Sequence, residues 1–447
     1  MRKYIIVKII ILLTISALVQ VRGISQTSQS NDVVLSNEMK MNTVNKVSQM
    51  LNDNYIFQDK ASEMGTLIVN NFESGKYSDL NDPAKFALQL TEDLQSVSKD
   101  KHIRVRFSPD QIKMMKQSEG QDENSDQTYL EEMKFDNFGF RKVERISGNI
   151  GYIDFRQFGS GDQIKDKVAS VMAFVENCDA LIFDMRNNGG GDPTGIQVIT
   201  SYLFGEEPVH LNDLYYRPKD TTEEFWTLKN IEGKRKPEVP VYVLTSSYTF
   251  SGAEEFSYNL QNLKRATIVG ETTGGGAHPG GMNIIDDNFA IFIPTGRAIN
   301  PITKTNWEGT GVKPDVEINS INALTKAHIL ALEKISADLT DENMKRKYTW
   351  MVESLTTTLN DVEIDAALLK KYEGEYGDRK IYLENGKLFY QRSGRQKFEL
   401  TPMSENTFML SEIDYFRVRF ESDGNGNITS VTGLYDDGNT DSSPKSN

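Results

Sequence analysis

The chain carries one cysteine, Cys178, in 447 residues. That scarcity rules out an intramolecular disulfide and any cysteine-rich zinc site. Cys178 itself precedes an apolar run at 180–183 and has no histidine close by in sequence, so it reads as a packing residue rather than a nucleophile. Histidine is nearly as scarce: imidazole chemistry has only His102, His210, His278 and His328 to draw on. Positive charge is also short. The 50 Lys and Arg against 64 Asp and Glu give a formal net charge of −14, and no basic cluster offers the face a nucleic-acid partner needs. After the N-terminus no segment is apolar enough to span a bilayer.

What is present begins with a targeting signal. Arg2 and Lys3 precede an apolar run at 4–19, interrupted by Lys8, and Gly23 and Ser25 are small residues suited to cleavage. Residues 1–25 therefore read as a signal peptide, and the mature protein is expected to be secreted or periplasmic without a membrane span. A retained anchor is the other reading, which Lys8 disfavours by shortening the span.

The remaining length suffices for two or three cores. Val44, Val47 and Leu51, then Met64, Leu67, Ile68 and Phe72, then Phe86, Leu90 and Leu94 recur at helical spacing, the last set behind Asp82 and Pro83. They predict a helical domain over 37–98. A polar stretch at 108–135 lacks periodicity and reads as an insertion or flap. From about 140 strands and helices alternate, with inward Val168, Val171, Phe174 and Val175 in one helix, which specifies an α/β domain over 99–335. A helical linker at 336–365 leads to a small antiparallel β domain at 366–437, marked by Asn385-Gly386 and Asp423-Gly424-Asn425-Gly426 between apolar runs. Residues 438–447 read as a disordered polar tail.

Chemistry concentrates where a buried strand at 241–244 gives way to a helix bearing Ala253, Phe256, Leu260 and Leu263. Ser251 stands at that junction. A serine there either caps the helix or uses the helix's free N–H groups to stabilise an oxyanion during attack on a carbonyl. Two glycine clusters could approach a ligand closely: Asn187–Gly191 after a buried strand, and 274–281, which contains Gly275, Gly276 and His278. Neither has the spacing of a nucleotide-binding loop. Glu308, between Trp307 and Gly309, is an orienting carboxylate or a solvent-facing turn residue.

Five motifs in order, Asp100-Lys101-His102, Asp184 to Gly190, Thr249 to Glu255, Gly270 to Gly276 and Glu308 to Asp315, resemble the S41 serine peptidases. The likeness is to the branch of the tricorn core and the interphotoreceptor retinoid-binding protein modules, over about 37–335. It implies a ClpP/crotonase-like α/β catalytic domain, with Ser251 as nucleophile, His102 as base and Glu308 in support. Gly252 and the Gly189–Gly190 loop would form the oxyanion hole, and Gly275, Gly276 and His278 would line the substrate site. The family's tail-specific members use a lysine base in the glycine-rich segment; the place equivalent to it is Gly276, and 270–281 has no lysine. Residues 108–140 are too few for the PDZ domain of those members. No cofactor or metal is implied. The expected activity is hydrolysis of peptides or unfolded protein through an acyl-enzyme. A non-catalytic binding protein for an apolar ligand or peptide, and an esterase, remain as alternatives on the same fold.

Overall fold

The computed structural model describes residues 33–118, 130–360 and 362–446; the expected signal segment at 1–25 and the middle of the expected flap lie outside them. The described residues form two compact units: those up to Glu144 with Tyr152–Asn177 and Phe183–Ser320, and Arg145–Gly151 with Cys178–Ile182 and those from Ile321 onward.

In the first unit, helices α1 (Asn37–Asn54), α2 (Gln58–Glu73) and α3 (Pro83–Ser98) follow the apolar spacing. Asp82 caps α3 by accepting from the Ala84 and Lys85 N–H groups, and Pro83 fits the first turn because its missing N–H is not needed there. Val44, Val47, Leu51, Met64, Ile68 and Leu90 share one buried core with Ile103, Val105, Phe289 and Ile291. Lys99 ends α3 at φ 59°, turning the chain toward β1 (Arg104–Phe107). That strand pairs antiparallel with β10 (Phe289–Pro294), and β10 with β9 (Gly280–Ile284).

A six-stranded sheet holds β2 (Phe140–Ile146), β3 (Ile150–Phe155), β4 (Ala180–Asp184), β7 (Val241–Thr245), β8 (Thr267–Gly270) and β12 (Val316–Glu317), in the order β12-β8-β7-β4-β3-β2. Every residue of β4 and β7 is buried, which is why they read as unbroken apolar runs instead of alternating ones. Helix α4 (Pro109–Ser118) follows β1, and helices α5 (Gly161–Phe174), α6 (Pro193–Ser201) and α7 (Gly252–Asn262) follow β3, β4 and β7. Phe174, expected inward, is 60 % exposed. At 100° per residue it lies about 120° round the helix from Val168, off the buried face, whereas Val175 returns to about 20° from it. A hairpin of β5 (His210–Tyr216) and β6 (Thr221–Trp226), extended by β11 (Gly296–Ile299), is a further small sheet.

In the second unit, Ala323–Ala337 and Glu342–Leu359 form a helix pair. His328 packs there at 7 % exposure, its Nε2 2.8 Å from the Ser147 carbonyl. Eight strands from Gly374–Tyr376 to Thr440–Pro444 then pair consecutively and antiparallel. Asn385 and Gly386 take φ 50° and 79° at the turn between Arg379–Glu384 and Lys387–Arg392, the paired positive values such a hairpin requires. Residues read as a tail form the last strand: Thr440–Pro444 pairs with Ile428–Tyr435. Thr-Asp-Ser-Ser-Pro carries no apolar residue on either face to mark a strand, although alternate side chains are exposed. Tyr376 bridges Lys445, so the sheet curls back to a near-barrel around Tyr376, Leu388, Phe408, Val418 and Phe420. The fold class is the expected one: N-terminal helices, an α/β core and a C-terminal antiparallel β domain.

Candidate active site

The junction between β7 and α7 is tightly specified. Thr249 Oγ1 donates to the Met185 carbonyl and accepts the Ser246 N–H, and the Phe250 N–H reaches the Asn188 carbonyl. Ser251 is the N-cap residue of α7 with φ 55° and ψ −122°. That conformation is unfavourable for a residue with a Cβ and persists only where surroundings impose it. Its Oγ lies 3.1 Å from His102 Nε2, across 149 residues of sequence.

His102 reaches this point from the turn after α3. Its ring lies 4.6 Å from that of Phe250 and 5.8 Å from that of Phe292. Asp100 fixes the turn by accepting the His102 backbone N–H at 3.0 Å, and its Oδ1 is 3.7 Å from His102 Nδ1. The other oxygen, Oδ2, accepts from Tyr55 Oη at 3.2 Å and faces His278 Nδ1 at 2.7 Å. Burial works against ionisation of Asp100, but hydrogen bonds from His102 and His278, with their charge, hold its carboxyl well below the usual range.

His278 is expected to line the substrate site. Its side chain is 5 % exposed, with Nδ1 turned to Asp100 and 3.5 Å from Glu308 Oε2. Glu308 therefore stands beside His278. Its Oε2 accepts the Ala277 N–H at 2.6 Å, and its buried Oε1 has no hydrogen-bond partner among the described residues. Burial and the nearby Asp100 charge push Glu308 up to about 7, against the opposing effect of His278. For His278, burial lowers the proton affinity, and Asp100 and Glu308 more than restore it.

The glycine segments position backbone more than they contact solvent. A Cβ on Gly190 would come within 2.5 Å of the Gly252 nitrogen, so only glycine lets that loop approach the N-terminus of α7. The Gly190 N–H donates to Asn188 Oδ1 at 2.8 Å. For the N–H groups of Gly189 and Gly252 no acceptor is found among the described residues. Of the three glycines expected at an oxyanion hole, Gly252 and Gly189 thus keep unengaged N–H groups among the described residues, and Gly190 provides clearance. Gly275 and Gly276, read as substrate contacts, are buried, and their N–H groups donate to Glu254 at 2.6 and 2.8 Å. Their carbonyls accept from the Gly309 N–H and Trp307 Nε1.

Glu254 is the site residue that sequence reasoning missed. Fully buried, its carboxylate also accepts the Ser251 N–H at 2.8 Å and Thr273 Oγ1 at 2.5 Å. Its signal was present as Ser251-x-x-Glu254, the spacing of a capping box. Asp184 is a second buried support: it binds Arg186 through both carboxylate oxygens and accepts from Tyr152 Oη at 2.6 Å.

Asp100, His278 and Glu308 are the one group of three among the described residues whose ligand-type atoms lie within 4.8 Å of one another. Around a tetrahedral ion with bonds of about 2.1 Å, ligand atoms stand about 3.4 Å apart. The 2.7 Å between His278 Nδ1 and Asp100 Oδ2 is a hydrogen bond instead.

Two family models match the chain. Residues 149–318 match peptidase family S41, and residues 29–136 match the N-terminal domain of Peptidase_S41 in eukaryotic IRBP. The chain belongs to peptidase family S41. This S41 chain is 28% identical over 141 residues to the tail-specific protease of Haemophilus influenzae, an alignment covering 30% of the chain and 18% of that protein. It is 30% identical over 136 residues to the tricorn protease of Thermoplasma volcanium, covering 30% of the chain and 12% of that protein. It thus spans less than a fifth of the length of either. The solved photosystem II D1 C-terminal processing protease superposes with a TM-score of 0.41 at 12% identity, over 63% of this chain and 93% of that one.

Proposed function

We propose that the chain is a serine peptidase in which Ser251 is the nucleophile and His102 the general base. The observation that carries this reading is the 3.1 Å approach of His102 Nε2 to a serine hydroxyl held at a helix N-terminus. Ser251 Oγ bonds to the scissile carbonyl carbon while its proton passes to His102 Nε2. The carbonyl oxygen becomes an oxyanion facing the N–H groups of Gly252 and Gly189. On collapse the C–N bond breaks, and the proton on Nε2 goes to the leaving amine. Water then attacks the acyl-serine, gives a proton to His102, and the C–Oγ bond breaks as that proton returns to Ser251.

For Nε2 to accept, the His102 proton must sit on Nδ1, on the side of Asp100. The buried Asp100 charge favours the imidazolium that forms in each step. Glu308 acts at one remove, through His278 and Asp100.

Peptides or unfolded segments are the substrates proposed, because membership of a peptidase family names the bond class without the sequence preference. Export to a secreted or periplasmic location follows from residues 1–25. A fluorophosphonate probe tests the chemistry: it should label Ser251, and Ser251→Ala and His102→Ala should each abolish casein hydrolysis. Unchanged hydrolysis by Ser251→Ala overturns the assignment.

A further inference from the structure

The base and nucleophile leave a second buried histidine unexplained. His278 carries two carboxylates on its Nδ1 side, Asp100 Oδ2 at 2.7 Å and Glu308 Oε2 at 3.5 Å. Tyr55 Oη donates to Asp100 from the helical region, and the Phe57 ring meets the imidazole edge-on at 5.4 Å between centroids. The charged groups that act on this cluster are His102 on the far side of Asp100, Glu254 beyond Glu308, and Arg297, whose positive charge opposes protonation of His278.

Two carboxylates and an imidazole this close cannot all adopt the charges they would have in water. With Asp100 and Glu308 both ionised and His278 neutral, two negative charges would share one buried site, which costs several times what it would in water. One added proton removes that cost. If it sits on His278, the sum is two negative charges and one positive. If it sits on Glu308, the sum is Asp100 alone. Both arrangements leave a net charge of minus one, and both keep a donor or a dipole directed at Asp100.

We propose that His278 is a positioning residue of the catalytic apparatus: it donates to Asp100 and shares one proton with Glu308, so that a single net negative charge stands behind His102 as Ser251 gives up its proton. This rests on the assignment of Ser251 and His102 above and adds the element that keeps Asp100 ionised. The raised proton affinities of both His278 and Glu308 agree with it. It also accounts for Glu308 acting without touching His102: the carboxylate holds the alternative seat for the shared proton. No bond to substrate is involved. His278 works through Asp100, and its effect belongs in turnover and in the pH profile, not in binding.

The test uses the full-length protein, a fluorophosphonate probe and fluorescein-labelled casein. Labelling rates are measured across pH for wild type, His278→Leu and His278→Asn. His278→Leu should slow labelling and kcat on the order of 100-fold, the lower end of what general-base catalysis supplies, with KM for casein unchanged. Its midpoint should fall to lower pH, because the shared proton then falls to the two carboxylates and partly neutralises Asp100. His278→Asn keeps a donor toward Asp100 and should recover at least about tenfold over the Leu variant. If His278→Leu does not fold, judged by its thermal transition, His278→Asn against wild type still decides, since asparagine cannot hold the shared proton either, which then falls to the two carboxylates, and its midpoint must also fall to lower pH.

Wild-type rate and midpoint in His278→Leu would overturn the proposal, as would a raised KM with unchanged kcat, which marks a substrate contact. Failure of the underlying assignment looks different: wild type would then not label at Ser251 at all, and the proposal would fall with it.

Discussion

Gly276 and His102 compete for one volume: a Cβ on Gly276 would stand 2.6 Å from His102 Cε1 and 2.3 Å from Phe250 Cζ. The imidazole therefore fills the space a lysine at 276 would need. The absence of a lysine from the loop and the presence of the histidine are one packing fact.

Gly276→Ala should accordingly fold but displace the imidazole from Ser251. A shift of about 1 Å at a catalytic group is enough for a loss on the order of 100-fold in kcat/KM. Steady-state hydrolysis of a fluorogenic peptide checks this, with labelling of Ser251 as a second reading. An unchanged rate would mean that the imidazole is not confined by this wall.

Glu254→Gln tests the clamp between nucleophile and glycine loop. Each carboxylate oxygen accepts two hydrogen bonds, Oε1 from Thr273 and Gly275 and Oε2 from Ser251 and Gly276. Glutamine keeps one such oxygen and turns an NH₂ against the other two donors. The expected destabilisation is about 2–4 kcal/mol, since buried donors lose their acceptor, read from urea unfolding. Activity per folded molecule should also fall, because both loops that frame Ser251 lose their common tether. Equal stability of wild type and variant would sink this account.

The parts legible from sequence were those whose signal is local. Helices α1 to α3 announced themselves by spacing and by Asp82-Pro83, and the C-terminal hairpin over 379–392 by Asn385-Gly386. Strands β5, β6 and β9 to β11 were not read. β5, β6, β9 and β11 carry glycine, asparagine or charge, and the apolar β10 is paired to a partner distant in the chain, as when Arg104 opposes Phe292. At the site, His102 and Ser251 were found through their motifs, and they meet. What sequence could not give was direction. His278 reads as a residue of the substrate site in a glycine-rich run, yet it faces Asp100, 178 residues away. The N–H groups of Gly275 and Gly276 look available in a glycine run, yet Glu254 consumes them. Long-range partners of this kind leave no period or spacing behind.

Glu255 gives stability a pH dependence of definite sign. It is 6 % exposed, and burial pushes its carboxyl up from 4.5 to about 8, with Asp192 adding to the rise and Asn212 opposing it. The folded form thus holds a proton that the unfolded chain releases above about pH 4.5. Between the two values the folded state binds more protons, so stability falls as pH rises and is fully reduced only above about 8. Glu255→Gln removes this slope. The variant should exceed wild type by on the order of 2–4 kcal/mol near pH 9, and the two should converge in acid. Thermal transitions of both proteins across pH would reveal it; parallel curves would show that Glu255 does not carry the effect.

Ser251 itself should be a site where activity and stability oppose each other. Its φ of 55° with ψ −122° suits glycine and strains any residue with a Cβ. The fold tolerates that strain because the Asn188 carbonyl, Glu254 and the Gly190–Gly191 backbone hold the turn from several sides. Ser251→Ala deletes the hydroxyl but keeps the Cβ, so it should lose activity with little change in stability. Ser251→Gly deletes both. It relieves about 1–3 kcal/mol of backbone strain and gives back about 0.5–1 kcal/mol in added freedom of the unfolded chain. The net expectation is a variant about 1 kcal/mol more stable than wild type and devoid of peptidase activity. Urea unfolding of the three proteins decides it. If Ser251→Gly is less stable than Ser251→Ala, the strain is not stored at this residue, and the turn must be favourable for serine by some contact of its Cβ.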